Sequence, residues 1–281
     1  MKANRKELHS MDCNTVIKQL NQIAPERLAC EWDNVGLLLG ERTRKVKKIV
    51  IGLELTDEVA ERAVLENADM IITHHPMLFS AIKRITDETP NGRRIIKLLQ
   101  NKICYYAMHT NFDASEKGMA YLAAEKLGLD CIEVLDEEVI YQDETGKECK
   151  AGIGRIGQLK HPMTLEQFAQ FVKQIFGNKV LTIYASKEQM HKMIHTVSIV
   201  PGSGKEYMDA SIKKGADVLI TGDINHHIGL DAMDLSFPVI DAGHYRTEQI
   251  FIAYMMEYLQ KKLGDEVELI AIPVRDPFQV V

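Results

Sequence analysis

The chain has 281 residues, 46% of them hydrophobic, with 34 Lys and Arg against 40 Asp and Glu. The length suits one large domain or two ordinary ones with packed cores. A net charge of −6 and a pI near 6.0 argue against a nucleic-acid binder, which carries a basic excess, but leave room for a small anionic substrate held by a metal.

Residues 1–10, MKANRKELHS, are charged and contain no apolar stretch of the signal-peptide kind, so they read as a frayed leader. No apolar run approaches the length of a membrane span. The five cysteines, Cys13, Cys30, Cys104, Cys131 and Cys149, are odd in number and form no CxxC, a pattern of reduced thiols. The expected location is the cytoplasm.

Asp12 or Asn14 can cap a first helix with Val16, Ile17, Leu20 and Ile23 at helical spacing, ended by Pro25. Leu37–Gly40 is a short apolar segment. Lys48–Leu53 reads as a buried strand and Thr56–Asn67 as a helix with core face Val59, Ala60, Ala63 and Val64. The strand Met70–Thr73 follows, which makes a βαβ unit and implies parallel strands. It runs straight into His74-His75-Pro76, and Pro76 forces the chain out of the sheet. Carboxyl ends of strands are where open α/β sheets bind ligands. Arg93–Leu99 is a further helix, and Ile103–Met108 a strand ending in His109-Thr110-Asn111-Phe112-Asp113. The helix carrying Met119, Leu122, Ala123 and Leu127 closes at Gly128.

Residues 137–158 read as a hairpin turning through Asp143-Glu144-Thr145-Gly146. Thr164 with Gln167 is a capping box for a helix through Phe176, closed by Gly177. Strands are expected near 181–184, 196–200, 217–221, 238–241 and 267–272, and helices at about 205–214 and 247–263.

The chain repeats itself. Lys48 through Thr73 aligns without gaps on Thr196 through Thr221, at a constant offset (216 − 68 = 148 and 197 − 49 = 148). His109-x-x-x-Asp113 is echoed by His244-x-x-x-Glu248. Two similar α/β halves are expected, interleaved so that the last helix and strand return to the first: residues 1–128 with 238–281, and 129–237. Their strand ends would gather around a shared cleft.

That cleft would collect His74, His75, Asp113, His244 and Glu248, a mixed imidazole and carboxylate set suited to zinc, manganese or iron. Five ligands exceed what one closed metal site needs and fit two metals with open positions for water. Glu248 is expected to open the last helix, near unsatisfied amides. His109 is left over, either as a residue orienting a ligand, as an acid/base, or as a hydrogen-bonded structural histidine. Gly202-Ser203-Gly204-Lys205 looks like part of a phosphate loop, but Ile199 and Glu206 break the Walker pattern. It reads as a turn or as a backbone nest for an anion. His226 and His227 read as surface residues or as lining the mouth of the site, and His9, His161, His191 and His195 as ordinary.

With those residues in place, the chain resembles the GTP cyclohydrolase I type 2 homologue family, also described as dinuclear-metal-centre hexameric proteins. The resemblance runs through Glu31-Trp32-Asp33-Asn34-Val35-Gly36-Leu37, Thr73-His74-His75-Pro76, His109-Thr110-Asn111-Phe112-Asp113, Gly154-Arg155-Ile156-Gly157, Thr221-Gly222-Asp223 and Gly243-His244-Tyr245-Arg246-Thr247-Glu248. It implies two similar intertwined three-layer α/β/α domains, a toroidal homohexamer and two divalent ions per chain. The implied ligands are His74, His75, Asp113, His244 and Glu248, with Glu248 bridging. Family members with an inserted middle domain differ from this chain, which has only the short hairpin region there. The expected function is a metal-dependent hydrolase acting on a nucleotide-like small anion, with His109 moving protons. The competing readings are a metal storage, delivery or sensing protein and a regulatory scaffold.

Overall fold

The structure, a computed structural model, describes residues 11–143, 145–273 and 276–279. The leader expected at residues 1–10, with His9, lies outside them, as does Glu144 of the expected turn. The strands are β1 (Gly36–Leu39), β2 (Lys48–Gly52), β3 (Met70–Thr73), β4 (Cys104–Ala107), β5 (Leu129–Gln142), β6 (Glu148–Thr164), β7 (Thr182–Tyr184), β8 (Met193–Ser203), β9 (Val218–Gly222), β10 (Val239–Asp241) and β11 (Glu268–Ala271). The helices are α1 (Cys13–Ile23), α2 (Asp57–Leu65), α3 (Pro90–Gln100), α4 (Thr110–Ala114), α5 (Met119–Lys126), α6 (Leu165–Phe176), α7 (Met208–Lys213), α8 (His226–Asp234), α9 (His244–Glu248) and α10 (Ile250–Leu263).

The chain divides into two α/β units. The first takes the residues up to Asn21, Glu31–His109, and the chain from Ile252 through β11. The second takes Gln22–Cys30, Thr110–Phe251 and the last described residues. The crossing therefore falls directly after His109, and α4 and α5 lie in the second unit.

The first unit holds a sheet in the order β1-β4-β3-β2-β11. Its strands β11, β2, β3 and β4 are parallel, and β1 runs antiparallel to β4. Val50, Ile71, Tyr105 and Ala107 pack with Val59, Ala60 and Ala63 of α2 and Leu98 of α3. The alternate residues Ile49, Ile51, Ile72 and Tyr106 point the other way and are equally buried, so both faces of the sheet are covered. On that second face Asn21 of α1 reaches the Tyr106 hydroxyl at 3.4 Å. The Tyr258 hydroxyl of α10 donates to the Gln19 carbonyl of α1 at 2.8 Å. Asp12 caps α1 by accepting from the Thr15 amide at 2.8 Å.

The second unit holds the order β5-β6-β8-β9-β10-β7, with β8, β9 and β10 parallel. Val197, Ile199, Val218, Ile220 and Ile240 face α5 and α6. Leu219 and Val239 face the opposite cluster, with Met208 of α7 and Ala232 of α8. The Thr164 and Gln167 capping box forms at α6, and Gly177 closes the helix at φ +68°. Arg155 is buried and donates to four carbonyls: Gly152 and Gly154 at 2.7 Å, Ser115 at 2.7 Å and Glu116 at 3.2 Å. That fork ties β6 to the turn between α4 and α5 and accounts for the Gly-Arg-Ile-Gly stretch structurally.

Two expectations are corrected. The hairpin is not confined to 137–158. β5 and β6 run 14 and 17 residues, with register shifts between Asp130 and Glu133 and between Asp136 and Val139. The final helix breaks at Gln249, so Glu248 ends the short α9 instead of opening α10. Helix α8 adds an element between β9 and β10 that the sequence pattern did not bring out, capped by Asn225, which accepts from the Ile228 amide at 3.1 Å.

The duplication is visible bond for bond. β2 pairs with β3 as Ile49↔Met70, and β8 with β9 as Val197↔Val218, each shifted by the same offset (197 − 49 = 148, 218 − 70 = 148). Asp69 accepts from the Lys47 and Lys48 amides at 2.8 and 3.2 Å. Asp217 accepts from the His195 and Thr196 amides at 2.8 and 2.9 Å. The turn before each strand passes through a left-handed residue, Asn67 at φ 53° and Gly215 at φ 77°. These paired bonds explain why Ala-Asp precedes both strands. Replacing Asp69 or Asp217 by Ala should each cost about 1–3 kcal/mol, because two amides lose a charged acceptor. Urea titration of the two variants and the double mutant checks this; costs differing severalfold between the copies would contradict equivalent roles.

Candidate metal centre

Strand β3 ends in the first unit at Thr73, and the next two residues are His74 and His75. His74 is fully buried, and its Nδ1 lies 2.7 Å from the Met108 carbonyl, which can only accept. Nδ1 therefore carries the proton, and Nε2 is left with the lone pair. His75 is fixed in the same sense, with Nδ1 at 3.2 Å from Glu54 Oε1. Its amide donates to the Leu53 carbonyl at 3.0 Å, just past β2. The Tyr105 hydroxyl donates to the His75 carbonyl at 3.0 Å and accepts from the Met77 amide at 2.9 Å. Burial pushes the Tyr105 phenol up to about 12, so it remains a donor.

His109 follows β4, with its Nδ1 at 3.0 Å from Asp33 Oδ1. The Asp33 side chain has 0% exposure and also accepts from the Asn34 amide at 2.8 Å. His109 is thus held at Nδ1, as its two neighbours are, and in its case by a carboxylate with no exposed surface. One ring nitrogen from each of His74, His75 and His109 lies within 4.8 Å of the others. The three rings meet at centroid distances of 4.7, 5.2 and 5.4 Å. With Nδ1 committed on all three, Nε2 is the atom each offers, which is how metal-ligating histidines are held. This group is able to hold a metal ion.

In the second unit, His244 and Glu248 stand one turn apart on α9, with Nε2 and Oε2 separated by 3.1 Å. His244 Nδ1 lies 2.7 Å from Asp223 Oδ2. A neutral imidazole has one N–H and cannot donate to both carboxylates, so the arrangement calls for a positive charge, either a second ring proton or a metal ion. Glu248 is only 3% exposed, which sharpens that demand. Asp223 adopts φ 58°, a left-handed conformation that Asp tolerates. Gly202, at φ +73°, packs against the pair: a Cβ there would sit 2.2 Å from Glu248 Oε1 and 3.4 Å from His244 Nε2. The space beside the carboxylate exists because residue 202 has no side chain.

Asp113 lies half-buried on α4 and belongs to neither cluster; among the described residues it joins no group of three metal-binding side chains. The Gly202-Ser203-Gly204 turn is not an anion nest. The Gly202 amide donates to Thr247 Oγ1 at 3.1 Å, and the Gly204 amide to Thr221 Oγ1 at 2.7 Å. His226 and His227 are exposed at the start of α8, and His161, His191 and His195 are exposed as well. Sequence reasoning missed Glu54, Asp33 and Asp223 as partners of the histidines. Asp33 and Asp223 stand within motifs that reasoning quoted, while Glu54 had no signal beyond its place after β2.

A family model described as Duf34/NIF3 (NGG1p interacting factor 3) matches residues 11–277. The chain belongs to the Duf34/NIF3 family. A GTP cyclohydrolase 1 type 2 homolog of Clostridium perfringens is 34% identical over 96% of this chain and 100% of its own length. One from Clostridium acetobutylicum is 36% identical over 89% of each. Among solved structures, a Bacillus cereus protein related to NIF3 superposes with a TM-score of 0.86 at 25% identity, covering 96% of this chain and 99% of that one. Reduced HcgD from Methanocaldococcus jannaschii does so with a TM-score of 0.78 at 27% identity, covering 93% and 97%. The Duf34/NIF3 fold of this chain is α/β in both units, and among the described residues no helix is long and apolar enough to cross a membrane.

Gly202→Ala should displace the Glu248 carboxylate, since the new methyl cannot coexist with Oε1 at 2.2 Å. Metal content after dialysis should fall, and the left-handed backbone should add a stability loss of about 1 kcal/mol. Elemental analysis beside a circular dichroism melt checks this, and an unchanged metal content would show that Glu248 does not hold metal from this position.

Proposed function

We propose that this chain is a dinuclear metal-dependent hydrolase acting on a nucleotide-like small anion. The observation that carries this reading is the common orientation of three imidazoles, each pinned at Nδ1 by a carbonyl or carboxylate, beside Asp33, Glu54 and Met108. Two divalent ions of zinc, iron or manganese would be held by His74, His75, Asp113, His244 and Glu248, the set that the family resemblance implies, with the Glu248 carboxylate as the shared, bridging ligand. When bound, the metals supply Lewis acidity and acidify a water. The printed name of the Clostridium relatives, GTP cyclohydrolase 1 type 2 homolog, supports a nucleotide as the substrate class.

His109 moves the proton in this reading. Asp33 accepts from Nδ1 at 3.0 Å, fixes the tautomer and stabilises the imidazolium that forms when Nε2 takes a proton. The same placement suits a ligand, and the two roles part on measurement. His109→Gln should keep the metal complement and lower turnover by about a hundredfold or more, the range for loss of a general acid or base. If it loses metal instead, His109 is a ligand. A second reading, metal storage, delivery or sensing, is favoured by the same cluster, because three imidazoles suffice to hold an ion without any chemistry.

The chain works as a cytoplasmic homohexamer in this reading, which light scattering tests. Turnover by metal-reconstituted protein on a nucleotide panel that includes GTP decides between enzyme and carrier. Glu248→Gln, which removes the bridging charge, should hold one metal where the parent holds two, keep its fold and lose turnover. Turnover that survives Glu248→Gln would mark a contaminant, and a full metal complement in that variant would exclude Glu248 as the bridge.

A further inference from the structure

Three consecutive residues before β1 do three different things. Asp33 holds His109 by Nδ1 at 3.0 Å. Asn34 donates through Nδ2 to the Leu78 carbonyl, which latches this loop to the one that follows Pro76. Trp32 meets Phe79 across that latch, with ring centroids 5.7 Å apart and planes inclined by 54°. Both rings also meet His109, Trp32 at 6.1 Å and Phe79 at 6.4 Å, each in an edge arrangement.

The two aromatic side chains are nonetheless largely in solvent, Trp32 at 62% and Phe79 at 52% exposure. They do not fill a core. The latch and the contacts with His109 hold them beside a histidine of the metal-binding cluster. At 5.7 Å the two rings touch each other and leave no slot between them, but their exposed sides can take a flat ring by stacking on one and edge contact with the other. Aromatic side chains presented in this way bind nucleobases with little regard to sequence, because every base has a π-face.

We propose that Trp32 and Phe79 form an aromatic clamp for the planar heteroaromatic ring of the substrate, holding it next to His109. This deepens the reading of the substrate as nucleotide-like and rests on it for the identity of the ring. The alternative occupant, a second copy of the chain, is disfavoured by size. Two rings offer about 150–250 Å² each, well below the roughly 800 Å² per partner of a stable interface.

Trp32 is the only tryptophan in the chain, so intrinsic fluorescence reports from this position alone. The experiment titrates metal-loaded protein with guanosine and, separately, with inorganic tripolyphosphate. Guanosine should quench Trp32 saturably and tripolyphosphate should not. Phe79→Ala should weaken guanosine binding by about tenfold, as loss of one stacking partner does, and Phe79→Tyr should restore it. Phe79 is exposed, and circular dichroism of the variants verifies their fold. Emission insensitive to guanosine, or a guanosine affinity unchanged by Phe79→Ala, would overturn the clamp. So would emission that follows protein concentration alone, which would mark these rings as a contact between copies. Guanosine binding without turnover of any nucleotide would sink the hydrolase reading and leave the clamp standing; turnover without quenching would do the reverse.

Discussion

The hydrogen bond at Nδ1 is the constraint on which the site depends. An imidazole on a loop rotates, and its two nitrogens exchange roles; one fixed acceptor removes both freedoms. Here the acceptors are the Met108 carbonyl for His74, Glu54 for His75 and Asp33 for His109. Asp223 does the same for His244. Met108, Glu54 and Asp223 sit just beyond the ends of strands and Asp33 in the loop that leads into β1, so the precision of the sheet passes to the rings. The rest of the first unit serves this arrangement: β2 carries the chain to Glu54, β3 delivers His74 and His75, and β4 delivers Met108 and His109.

The internal repeat explains why one chain builds such ends twice. Ala-Asp before a strand is a device for starting it: the carboxylate takes two amides of the neighbouring strand and sets the register. The strands then reach Thr73 and Thr221, whose carbonyls accept from the Met108 and Ala242 amides at 2.9 and 2.8 Å. From that common base the copies diverge. The first continues into two histidines, the second into Gly222 and Asp223, where a Cβ at residue 222 would meet the His244 amide at 2.5 Å. One copy ends in two histidines of the candidate cluster, the other in room and orientation for His244 and Glu248 on α9.

Much of this was legible in the sequence because it is local. The apolar runs of β2, β3 and β4, the proline after His75, the capping box at Thr164 and the repeat offset all follow from residue type and spacing. What was not legible depends on contacts distant in sequence or on a single backbone angle. Asp33 meets His109 across 76 positions, which no periodicity encodes. Gln249 separates α9 from α10 without a proline or glycine, so the apolar pattern read as one helix. Helix α8 has a weak apolar face, with only Gly229 and Ala232 buried, and its Asn225 cap was the one usable signal. The Gly202-Ser203-Gly204-Lys205 turn suggested an anion site because glycine motifs are ambiguous. Its amides go to Thr247 and Thr221, and Gly202 is there to leave space for Glu248.

The central claim is that His74 and His75 present Nε2 to a common metal. Anomalous diffraction from crystals of zinc-loaded protein, recorded on both sides of the zinc absorption edge, tests it most directly. The account predicts an anomalous peak at about 2.0–2.1 Å from the Nε2 atoms of these histidines, the usual Zn–N distance. A peak bonded to Nδ1, or zinc bound only elsewhere with these rings unliganded, would contradict it.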